Sequence, residues 1–154
     1  MDTYSYKEEE LKKMGDAILW TTILAAVHQD GVISREERAE AIKQTHIRTF
    51  SSADYLRPIY DHLDAHFERD FDVYSRGLPE NQDEQKTYIQ NRLAESLEVL
   101  DGLGPIFSAM FSKDLRKLYH RVFHAESNVF QIFAFPLLSA HLTDAAEEEQ
   151  NKDA

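Results

Sequence analysis

Apolar residues return every three to four positions along most of this chain, and no stretch alternates convincingly with a period of two. This is the spacing of helices that bury one side, so the pattern predicts an all-α fold. The first predicted helix runs from about Glu8 to His28, and its second half, Ala17–Val27, is apolar almost all round. A helix of that kind is buried on most sides, as a central helix is. Asp30-Gly31 stops it, with Gly31 supplying the left-handed backbone that follows many helices. Ser34 and Glu37 stand at the spacing of a capping box and open a second helix that reaches about Arg48 or Phe50.

A third long helix is predicted from Pro58, a residue suited to a first turn, to Gly77, with Ile59, Leu63, Phe67, Phe71 and Tyr74 as its buried stripe. A fourth runs from about Glu80 to Asp101 and carries Ile89, Leu93, Leu97 and Leu100; Gly102 and Gly104 end it. Pro105 to Phe111 reads as a short apolar helix or turn. Ser112 then caps a fifth long helix with the apolar face Leu115, Leu118, Tyr119, Val122 and Phe123. Ser127 or Asn128 caps a last helix from Val129 to about Leu142, bent at Pro136. The expectation is one domain over residues 8–143, a bundle of about six to seven helices. Its two most apolar helices, near the two ends of the chain, pack together as the core. Residues 1–7 and 144–154 are expected to be flexible acidic termini.

Composition narrows the classes of function. The chain has 154 residues, 42% of them apolar, and no cysteine, which excludes disulfides, thiolate metal sites and a cysteine nucleophile. Its formal charge is −11, but much of that lies near the ends: Asp2, Glu8, Glu9 and Glu10 near one, and Asp144, Glu147, Glu148, Glu149 and Asp153 near the other. No basic stripe offers a grip on phosphates, so nucleic-acid binding is not expected. The opening residues lack the charged-then-apolar pattern of a secretory signal, and no apolar run is long and uninterrupted enough to cross a bilayer. The expectation is a cytoplasmic protein without membrane insertion. No Gly-x-Ser-x-Gly elbow is present, and the abundant carboxylates identify no acid–base pair, so the chain reads as a non-enzyme.

The sharpest local motif is Asp30-Gly31-Val32-Ile33-Ser34-Arg35-Glu36-Glu37. It resembles the second half of a calcium-binding EF-hand loop, in which carboxylate oxygens at a turn between helices hold a hard cation. Ala26 and His28 stand where the first half would need acids, which speaks against a full EF-hand. Geometry alone accounts for most of the motif: Gly31 ends one helix, Ile33 plugs the corner, and Ser34 with Glu37 caps the next.

An apolar helix running into Asp-Gly-x-Ile-Ser-x-x-Glu also resembles the tellurite-resistance TerB-like family, whose all-helical domains of similar length carry such a motif, usually twice. Here the first copy spans Leu24–Glu37. A second copy would fall in Leu118–Val129, with Glu126 at the Asp position and Ser127 at the Gly position, while Phe133 stands where the closing Glu belongs. The resemblance implies a small regulatory or interaction module of a stress response that binds a divalent cation, calcium or magnesium, weakly. The metal ligands it implies are Asp30, Glu36, Glu37 and Glu126. With so few carboxylates, such a site falls at the weak end of the calcium range, about 10⁻⁴–10⁻³ M.

Histidine supplies the alternative reading. Of the seven, His62 with His66 and His120 with His124 stand four apart on predicted helices, a spacing that can chelate a transition metal. Together with Asp64, Glu68 or Glu126 they suggest a histidine/carboxylate metalloprotein of the haemerythrin or di-iron type. Helical geometry counts against it, because His120 and His124 point away from the apolar face of their own helix. Finally, the aromatic run Val129–Leu138 suits a core helix, or one side of a contact with a protein partner or a second copy of the chain.

Overall fold

In the computed structural model the described residues are 5–28 and 30–123, and among them every regular element is helical. α1 spans Glu8–Val27, α2 Arg35–Ser51, α3 Arg57–Asp64, α4 Phe67–Arg76, α5 Gln82–Leu97 and α6 Pro105–Phe123, with a 3₁₀ turn at Glu98–Gly102 between the last two. The predicted helix at Val129–Leu142, the second motif copy beyond Phe123, Glu126 and most of both acidic termini lie outside the described residues.

α1 is the axis of the bundle. It packs against each of the other five helices, and from Met14 to Val27 all of its residues are buried except Asp16. Its two buried threonines donate to the helix's own carbonyls, Thr21 Oγ1 to Ala17 O at 2.7 Å and Thr22 Oγ1 to Leu19 O at 2.7 Å. Such internal bonds let polar side chains sit in an apolar core without orphaned hydroxyls. Trp20, also buried, stacks on Tyr74 of α4 with ring centroids 4.8 Å apart.

Three predicted boundaries are corrected. The helix expected from Pro58 to Gly77 is two helices, with His66 between them in a non-helical conformation (φ −138°, ψ 9°). The stripe itself explains the break. Ile59, Leu63, Phe67 and Phe71 are each four residues apart, and on a straight helix each such step drifts about 40° round the axis, so three steps would carry Phe71 about 120° away from Ile59. Breaking the helix at His66 re-aims its second half, and all four side chains are buried. The fourth helix starts later than expected, capped by Asn81, whose side chain accepts from the Asp83 and Glu84 backbone N–H groups. Its end tightens into the 3₁₀ turn before Gly102. Lastly, Ser112 caps nothing. It lies fully buried inside one continuous helix, α6, and its hydroxyl donates to Ser108 O at 2.6 Å.

Candidate functional site

The corner between α1 and α2 is built as its residues dictate. Gly31 has φ +75°, and its N–H bonds to Val27 O at 2.9 Å, closing α1. Asp30 Oδ1 accepts from the Val32 N–H at 3.0 Å, an Asx turn that carries the chain out of the helix. The capping box then forms in full: the Glu37 N–H donates to Ser34 Oγ at 3.0 Å, and the Ser34 N–H donates to Glu37 Oε1 at 2.8 Å.

Two side chains from distant helices fix this corner in place. Gln85 of α5, only 7% exposed, donates through Nε2 to Gly31 O at 3.0 Å. Arg38, one turn into α2, grips α4: its Nε and Nη2 lie 2.8 Å from the two carboxylate oxygens of Asp72, and Nη2 also reaches Glu68 at 3.0 Å. This bidentate fork holds the Asp72 carboxyl below the usual carboxylate range and raises the Arg38 guanidinium further above its own.

Between these ties lies the largest cavity of the described residues, a groove of about 780 Å³. Val27, Val32, Ile33, Phe71, Leu78 and Pro79 supply its apolar walls, and Arg38, Asp72, Arg76 and Glu80 its polar margin. Val32 stands 65% exposed at this edge.

The sequence-predicted ligands do not converge into a metal centre. Asp30 and Glu37 are engaged with backbone N–H groups, Glu36 is exposed at the start of α2, and Glu126 lies outside the described residues. Among the described residues no three histidine or carboxylate side chains are grouped so as to hold an ion. A hard cation normally takes six or more oxygen ligands, and the donors here do not meet that need.

The histidine pairs separate in the same way. His62 belongs to α3 and His66 precedes α4; their rings stand 5.5 Å apart, and His66 Nδ1 is 2.5 Å from Asp70 Oδ2. Asp64 goes instead to His46, 2.9 Å from its Nδ1. His120 is exposed on α6, and His124 lies outside the described residues. Sequence reasoning missed His28, which sits where α1 ends. Its Nδ1 is 2.8 Å from the Tyr119 hydroxyl, its ring lies 4.1 Å from that of Phe123, and burial together with the Lys86 charge lowers its pKa.

No family model, curated protein or solved structure matches the chain. Among the described residues no helix is long and apolar enough to cross a membrane.

Proposed function

We propose that the chain is a non-catalytic, TerB-like recognition module of a stress response whose working surface is the groove beside the Asp30–Glu37 corner. The groove takes an apolar side chain or short apolar segment of a protein partner. The observation that carries this reading is the contrast between wall and margin. Val32 and Ile33 are presented on a rigid corner over apolar walls, while Gln85, Arg38 and Asp72 are already engaged with one another's helices. Surface of that kind gains from burying apolar area and asks little new of its polar groups.

A divalent cation is no part of this reading, since the donors do not form a centre. A few millimolar calcium should therefore shift the melting of wild type and of Asp30→Asn equally; asparagine keeps the Asx turn and removes the charge.

The direct experiment is selection from a random peptide library on the wild-type chain, with the Val32→Glu variant as counter-selection. Enriched apolar peptides that bind wild type and lose binding to Val32→Glu support the reading. Failure to enrich any peptide that separates the two proteins overturns it. Self-association abolished by Val32→Glu would make the partner a second copy of the chain.

A further inference from the structure

A second cavity, of about 390 Å³, lies away from the corner, where the end of α2 meets the middle of α6. Met110, Lys113, Asp114 and Lys117 stand at i, i+3, i+4 and i+7 on α6 and form one wall. Arg48, in the last turn of α2, forms the other. Three cations thus face this space against one carboxylate, in a chain whose formal charge is −11.

The carboxylate is itself occupied from behind. Tyr60 is fully buried and donates to Asp114 Oδ2 at 2.5 Å, and Asp114 Oδ1 lies 3.6 Å from Arg48 Nε. That separation is an ion pair but too long for a hydrogen bond. Arg48 is 12% exposed, and its buried Nε has no hydrogen-bond partner. A buried donor left short of an acceptor is costly, so a guanidinium held this way at a cavity wall is poised for another anion. Ser51 and Ser52 spend their hydroxyl hydrogens on the Ile47 and Arg48 carbonyls, which leaves recognition to the three cations. Tyr55, Leu56 and Met110 add apolar surface beside them.

We infer that this cavity binds a phosphate monoester carried on a compact apolar body. A phosphate carries about −1.5 to −2 charge at pH 7 and three acceptor oxygens, so it engages several cations where a carboxylate engages fewer. The cavity falls in the size range of small-molecule sites, about 300–1,000 Å³.

The test is titration of the whole chain, followed by amide NMR, with phenyl phosphate, inorganic phosphate and benzoate at matched ionic strength. Phenyl phosphate should saturate at about 1 mM, as ligand efficiencies for a body of this size allow. Its shifts should centre on Arg48, Ser52, Lys113, Asp114 and Lys117, with inorganic phosphate and benzoate both weaker. Lys117→Ala should weaken it about two- to fivefold, the worth of one partly exposed charge contact, while Lys43→Ala, an exposed lysine of α2 outside the cavity, should not. Benzoate binding as tightly as phenyl phosphate would overturn the phosphate assignment. Unsaturable shifts, or equal loss in Lys117→Ala and Lys43→Ala, would overturn the site.

Discussion

Three glycines separate the forces that hold the corner. A β-carbon at Gly31 would meet Gln82 Cγ at 2.8 Å and Gln85 Oε1 at 3.0 Å, at a φ of +75°. At Gly104 φ is +90° with nothing within 4 Å, while Gly102 has neither the positive φ nor a neighbour. Left-handed backbone costs a non-glycine residue about 1–2 kcal/mol. Pushing Gln85 off the Gly31 carbonyl adds about 1 kcal/mol for the lost hydrogen bond. Against both stands a gain of about 0.4–1 kcal/mol, because alanine stiffens the unfolded chain. Gly31→Ala should therefore destabilise by about 2 kcal/mol and Gly104→Ala by about 1 kcal/mol or less, and Gly102→Ala should be neutral or slightly stabilising. The assay is urea unfolding followed by the fluorescence of Trp20, the one tryptophan, buried in α1 against Tyr74. Midpoints should shift at unchanged slope. If Gly31→Ala costs no more than Gly104→Ala, α5 does not press on the corner and the groove is wrongly drawn.

Ser34→Ala should cost about 1 kcal/mol in the same assay through the lost cap, with Ser34→Thr close to wild type. The Arg38–Asp72 fork makes stability depend on pH. Because the folded carboxyl lies below its ordinary value near 3.9, its contribution is present above that pH and fades as pH falls through the folded value. Arg38→Ala should remove that acid dependence and, since the pair is partly exposed, only about 0.2–1 kcal/mol at neutral pH. His28 should titrate below about 6.5 in a proton NMR series, because burial disfavours its charged form. Its contribution to stability is then present above that value and lost as pH falls through the folded one, a dependence that His28→Gln should abolish.

Much of the bundle was legible because its signals are local. The all-round apolar run Ala17–Val27 announced an axial helix, and Asp30, Gly31, Ser34 and Glu37 each perform the turn or cap that their spacing implied. The break at His66 was not legible, since no glycine or proline marks it and a stripe in steps of four reads as helix on either side. Ser112 misled because a serine before an apolar face looks like a cap, and only packing shows whether its hydroxyl turns outward or bonds back to its own helix. The groove's far wall was hidden for a different reason. Gln85 meets Gly31 across 54 residues and Arg38 meets Asp72 across 34, and no local pattern encodes either pairing. The cation-lined cavity was half visible: Lys113, Asp114 and Lys117 share a helical face by spacing, but Arg48 opposite them is placed by the α2–α6 packing alone.

The recognition surface is tested most directly by amide NMR of the wild-type chain titrated with an apolar peptide selected against Val32→Glu. The account predicts saturable shifts centred on Gly31, Val32, Ile33, Ser75 and Gln85, with Arg48 and Lys117 unmoved. Shifts that leave Val32 and Gln85 in place and gather elsewhere on the bundle would contradict it.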